Sequence, residues 1–129
     1  MKKIIMVAIA AAFVLGVNVM ATTTASAAAY KKCGACHNFN AKKKVGPGWK
    51  GIFGRKAGTA PGFKYKFTKY ITGDGWNWDE AHLRKWMCNS KKAVKEFTGN
   101  PKAKTKMPPQ KVCDPAKQDE IIAFMKTLS

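Results

Sequence analysis

Acidic residues are scarce in this chain. Its 129 residues hold 7 Asp plus Glu against 24 Lys plus Arg, a formal charge of +17. Folding does not call for such a surplus. It bears on solubility and partners, and it favours anionic surfaces. Strand patterns are nearly missing too, and past the first twenty residues no long apolar run occurs. These absences argue against a sheet protein and against a membrane-spanning mature chain. The length allows one domain.

The single long apolar run lies at the start. In "MKKIIMVAIAAAFVLGVNVMA", Lys2 and Lys3 precede an uncharged stretch from Ile4 to about Val17, and small residues follow. That is the layout of a secretory signal peptide. A membrane anchor is the rival, but the run is near the lower limit for spanning hydrocarbon. A cut after Ala21 gives a leader of residues 1–21 and a single domain of residues 22–129; the alternative cut follows Ala27. The earlier cut leaves room for a helix of about three turns ahead of Cys33. Loss of Lys2 and Lys3 leaves +15 of the original +17. An exported, soluble, periplasmic protein is therefore expected. Nucleic acid is an unexpected partner despite the charge.

Between Asn38 and Thr72 glycine, lysine and aromatics dominate, with Pro47 and Pro61, and the punctuation is too dense for long elements. Helical signals return at "NWDEAHLRKWMCN". Asn77 can cap there, with Glu80 three residues on as in a capping box. Leu83, Trp86 and Met87 then share a face. Asp114 and Pro115 open a second helix with a stripe of Ile121, Ile122, Met125 and Leu128. A third is expected to lead into Cys33 through "ASAAAYKK". Three short helices and long loops are a thin framework for about a hundred residues, and a large bound group would explain the layout.

The stretch "KKCGACHNFN" supplies a candidate for that group. Cys-x-x-Cys-His is the attachment signal for c-type haem. Each thiol adds to one vinyl group of the porphyrin, and the neighbouring imidazole of His37 reaches the iron. Three other readings compete. A thioredoxin-like dithiol needs a strand–turn–helix setting. A zinc site needs a fourth ligand, and His82, Cys88 and Cys113 do not form a second knuckle. A disulfide between Cys33 and Cys36 would be strained and leaves His37 without a role.

A haem needs a sixth ligand, and methionine sulfur is the choice of cytochromes c. Met1, Met6 and Met20 fall in the leader. Met87 and Met125 lie on helical apolar faces, where core packing suffices to explain them. Met107 stands alone in the Pro-flanked loop "KTKMPP".

Taken together, "CGACH", "VGPGWKGIFGRKAGTAPGFKY", "GWNWDEAHL", "TKMP" and "DEIIAFMKTL" resemble, in order, the class I c-type cytochromes of the mitochondrial and bacterial c2 type. The resemblance implies an all-α fold of three or more short helices and long loops around one covalent haem c. Cys33 and Cys36 would carry it, and His37 and Met107 would be the axial ligands. Pro47 resembles the proline whose carbonyl accepts from the ligand histidine. Arg55, Tyr65 and Trp78 match residues that hydrogen-bond a haem propionate, and Thr105 matches a threonine near the other. Trp86 stands where the family usually has a tyrosine near the methionine sulfur. Tyr30 is the candidate to replace an aromatic packing partner of the first helix. The segment Ser90–Lys104 is several residues longer than the usual link, and Pro109 replaces an aromatic.

Cys88 and Cys113 are left over, and in an oxidising compartment such a pair forms a disulfide. By resemblance, Lys32, Lys44 and Lys106 ring the exposed haem edge, and the extra segment adds Lys91, Lys92, Lys95, Lys102 and Lys104. The expected function is one-electron transfer by a monomeric, non-enzymatic carrier. Its partners would be acidic redox proteins: an oxidase, reductase, dehydrogenase or reaction centre. The alternative is a haem c enzyme or gas-binding protein with a labile sixth ligand.

Overall fold

A computed structural model of the chain describes residues 28–129, so the expected leader of residues 1–21 and both cut sites lie outside the described residues. Within the described residues the regular elements are helical. A 3₁₀ helix spans Ala29–Ala35 and a second spans Thr68–Tyr70. Two α-helices follow, α1 at Glu80–Thr98 and α2 at Pro115–Lys126.

Helix α2 forms as its sequence directs. The Asp114 carboxylate accepts from the Lys117 amide at 2.9 Å, Pro115 begins the helix, and Ile121, Ile122 and Met125 are buried. The helix into Cys33 is a 3₁₀ helix rather than an α-helix over its described part. It packs on α2 through Tyr30, whose ring stacks on Phe124 with centroids 3.6 Å apart, and through the Ala29 amide, which donates to Glu120 at 2.6 Å.

Helix α1 starts two residues later than the Asn77 capping box predicts. Asp79 is the cap, and its carboxylate accepts from the His82 amide at 2.9 Å. Asn77 is used otherwise. It forms an isolated antiparallel bridge with Lys56, and Trp78 exchanges backbone hydrogen bonds with Gly54 and Arg55, each 2.9 Å. Backbone committed to that pairing cannot wind into a helix. Glu80 pairs with Arg84 and Lys126 instead of closing a box.

Helix α1 also runs on through most of the extra segment, to Gly99, which takes the left-handed conformation (φ 62°) that ends many helices. One residue inside it, Asn89, is non-helical (φ −149°, ψ 87°). Its side chain accepts from the Lys92 amide at 3.0 Å, so the second half of α1 has its own cap. The two helices are tied by Gln118, a buried polar side chain whose amide nitrogen donates to the carbonyls of Arg84 and Val112. The core is unusually aromatic: Trp49, Phe67, Trp76, Trp78 and Trp86 are buried with Leu83, Met87 and Val94. Each such side chain contributes roughly 1.5–3 kcal/mol by leaving water.

Candidate haem-binding cavity

The 3₁₀ helix turns sharply after Ala35. The Cys33 carbonyl accepts from both the Cys36 amide (3.1 Å) and the His37 amide (2.9 Å). This folds the five-residue motif on itself, so that Cys33, Cys36 and His37 all line one cavity of about 250 Å³. Both thiols are free; Cys33 is half-buried and Cys36 exposed. Burial pushes the Cys33 thiol above its ordinary range.

His37 is buried, and its Nδ1 donates to the Pro47 carbonyl at 2.8 Å. A carbonyl can only accept, so the proton sits on Nδ1 and the Nε2 lone pair is available to a metal. Burial pushes the imidazole below its ordinary pKa, against the opposing effect of the Pro47 carbonyl. It is therefore neutral at pH 7, as a ligand must be. The chain passes so close behind the ring that a Cβ on Gly46 would lie 2.4 Å from Cε1 of His37.

Met107 lines the same cavity, and so do Arg55, Tyr65, Trp78, Thr105, Lys32 and Lys106. Apolar walls come from Ile52, Phe67, Leu83, Val112, Ile121 and Met125. Arg55 and Trp78 arrive together because their backbones are paired. The Arg55 guanidinium donates to the carbonyls of Lys50 (2.9 Å) and Gly48 (3.2 Å), but its buried Nε has no acceptor. Burial holds Arg55 below its usual pKa and pushes Tyr65, beside it, above the usual phenol range. A cationic donor without an acceptor at the edge of an apolar cavity suits a carboxylate of a bound group.

The Met107 loop is held to α1. The Trp86 indole Nε1–H donates to the Met107 sulfur at 3.0 Å, so the tyrosine-to-tryptophan change keeps a donor at the sulfur. Ser90 donates to the Met107 carbonyl at 2.8 Å, and the Met107 amide donates to Thr105 Oγ1 at 3.2 Å. The return leg of the loop is bonded to α1 through the Lys111 amide to the Cys88 carbonyl (3.1 Å) and the Val112 amide to the Met87 carbonyl (3.2 Å). The side chains of Cys88 and Cys113 meet sulfur to sulfur, with Cα atoms 4.6 Å apart.

Of the predicted haem-edge lysines, Lys32 and Lys106 line the cavity. Lys44 does not line it; its ammonium donates to the carbonyl of Gly34, inside the CxxCH turn, at 2.7 Å. Ser90, which in sequence marks only the start of the extra segment, also belongs to the site; a single serine carries no local signal for a contact seventeen residues away. Among the described residues no group of three or more His, Cys, Asp or Glu side chains is placed to hold a metal ion. The donors present fit a covalent haem: two thiols, a neutral imidazole, a thioether, an unsatisfied guanidinium NH and apolar walls.

No family model matches the chain. Cytochrome c2 iso-1 of Rhodospirillum centenum is 34% identical to it over 111 residues, covering 79% of this chain and 92% of that protein. Cytochrome c2 of Rhodospirillum rubrum is 37% identical over 102 residues, covering 76% of this chain and 89% of that protein. Among solved structures, cytochrome c2 of Rhodobacter sphaeroides matches with a TM-score of 0.68 at 32% identity, over 78% of this chain and 89% of that one.

Proposed function

Because the chain belongs to the class I c-type cytochromes, electron carriers with one covalent haem c, we propose that it is a periplasmic one-electron carrier whose haem iron lies between His37 and Met107. The observation that carries this reading is the convergence of Cys33, Cys36, His37 and Met107 on one cavity. When bound, the haem supplies the Fe(II)/Fe(III) couple.

The chain's own residues do the rest. Cys33 and Cys36 provide the two covalent attachments. The Pro47 carbonyl holds the His37 ring in one tautomer and makes it a better donor. The Trp86 donor and the Met107 loop hold the sulfur in place, and a fixed ligand set changes little between the two oxidation states. Arg55, Tyr65 and Trp78 would take one propionate and Thr105 the other, offsetting the cost of placing a carboxylate in a poorly hydrated cavity. The pairing of Cys88 with Cys113 as a disulfide agrees with export to an oxidising compartment. So does the apolar leader with its basic start. Among the described residues no helix is long and apolar enough to cross a membrane.

Charge supports acidic protein partners and a monomeric carrier that docks transiently. Lys32 and Lys106 stand at the cavity, and beside Thr105 an open cleft is lined by Lys66, Lys91, Lys95, Lys102 and Lys104. None of these lysines is in a salt bridge among the described residues. Val45, 72% exposed and also lining the cavity, adds an apolar spot within that basic surround.

The test is the full chain expressed with a leader and haem-attachment machinery. Covalent haem and a ferrous form that excludes carbon monoxide are expected. Met107→Ala should lower the potential and admit carbon monoxide. Ready binding of carbon monoxide by the wild-type ferrous protein, or an open iron in Met87→Ala and not in Met107→Ala, would overturn the ligand assignment.

A further inference from the structure

We propose that Ser90 is a positioning residue for the Met107 sulfur, a role that rests on Met107 being an iron ligand. Ser90 is fully buried in α1, one turn after Trp86, and both residues face the ligand loop. A serine inside a helix ordinarily turns its hydroxyl back to the carbonyl four residues before it. Ser90 instead donates to the Met107 carbonyl at 2.8 Å, across seventeen residues of chain. The departure has a visible cause. Asn89 breaks the helix one residue earlier, and its side chain caps the next turn through the Lys92 amide.

Met107 is thereby held at three points. Thr105 accepts from its amide, Ser90 donates to its carbonyl, and Trp86 donates to its sulfur. Pro108 and Pro109 follow directly and have no N–H to anchor the chain. Beyond them the Pro108 carbonyl accepts only from the nearby Gln110 side chain, the Gln110 carbonyl accepts from Lys32 at 3.3 Å, and the backbone amides pair again at Lys111 and Val112. The Ser90 hydroxyl is thus the tie nearest the sulfur on the carbonyl side. Ser90 is shut off from solvent, so alanine there leaves the Met107 carbonyl without this donor. Removing it frees the loop to swing the sulfur away from the iron, without touching the iron's other ligand.

The experiment compares haem-loaded wild type, Ser90→Ala, Thr98→Ala and Met107→Ala. Thr98→Ala is the control. It removes the hydrogen bonds of another α1 side chain, one to the Val94 carbonyl and one from the Asn100 amide, neither of which involves Met107. The readouts are imidazole affinity of the ferric protein and the weak red absorption band of sulfur-ligated ferric haem. Ser90→Ala should bind imidazole about five- to tenfold tighter than wild type, roughly 1–1.4 kcal/mol by the tenfold-per-1.4 conversion. Its red band should weaken, while Thr98→Ala stays within about twofold of wild type. Equal shifts in Ser90→Ala and Thr98→Ala would mean a general loss of stability and overturn the proposal. So would an unchanged Ser90→Ala. If the red band survives in Met107→Ala, the ligand assignment itself falls and Ser90 loses its role with it. If the band vanishes there while Ser90→Ala is unchanged, only the role of Ser90 falls.

Discussion

The indole Nε1–H of Trp86 points at the sulfur of Met107 from 3.0 Å. An indole NH can only donate, so the sulfur is the acceptor. A thioether has two lone pairs, one for a metal and one for this bond. With the sulfur on the iron, as proposed, this donation would draw electron density from it and favour the reduced state. Trp86→Phe keeps an aromatic of similar shape and removes the donor. A net hydrogen bond of about 1 kcal/mol corresponds to roughly 40 mV for one electron. The potential should fall by about that amount in protein-film or solution voltammetry. An unchanged or higher potential would show that the bond does not act on the sulfur.

Gly46 is needed for its missing side chain. A Cβ there would approach His37 Cε1 to 2.4 Å and Nδ1 to 2.7 Å. Gly46→Ala must push the ring away from the Pro47 carbonyl or shift the backbone. Such overpacking costs about 1–3 kcal/mol, and the melting temperature should drop by at least about 5 °C. Yield of haem-loaded protein should fall as well. A variant as stable and as fully loaded as wild type would contradict the close approach.

Cys88 and Cys113 enclose the whole Met107 loop across a sequence separation of 25. Closing such a loop is worth roughly 3–4 kcal/mol in the chain-entropy treatment. The double variant Cys88→Ala/Cys113→Ala should lose stability of that order in denaturant unfolding, with amides near Met107 exchanging first. Unfolded but unreduced wild type should show no reactive thiol from this pair. Two titratable thiols would end the disulfide assignment.

Asp79 caps α1, and its bonds to the His82 amide and ring hold its carboxyl below the usual range. The unfolded chain binds the proton more readily than the folded one. The stabilisation is therefore full above the ordinary carboxylate pKa and fades as pH falls through that range. Asp79→Ala should cost about 1 kcal/mol at pH 7. The gap to wild type should shrink as pH falls below the ordinary carboxylate range in acid unfolding. A gap that widens in acid would contradict the cap.

Electron transfer to an acidic partner should slow steeply as ionic strength rises to physiological values, where the Debye length is about 8 Å. Charge reversal at Lys32 and Lys106, which line the cavity, should slow the association rate more than reversal at Lys117 and Lys126 on α2. Equal effects from the two pairs in stopped-flow measurements would leave no docking face at the cavity.

Sequence alone determined what is local. The CxxCH group lies within five consecutive residues, so its chemistry is legible without a fold. Helix α2 is legible because Asp114, Pro115 and the apolar stripe all act within a few turns. Tertiary structure decided the rest. Asn77 and Asp79 are equally good caps by residue type, and only the pairing of residues 54–57 with residues 76–78 assigns the cap to Asp79. The polar, lysine-rich run after Ser90 gives little reason for a helix. Burial of Ala93 and Val94 against the aromatic core makes it one. The long-range ties on Met107 come from Trp86 and Ser90, residues far away in sequence that flank the break in α1 at Asn89. Hydrogen bonds between side chains and a distant loop leave no periodic trace in a sequence, because they depend on where two segments meet and not on what either prefers alone.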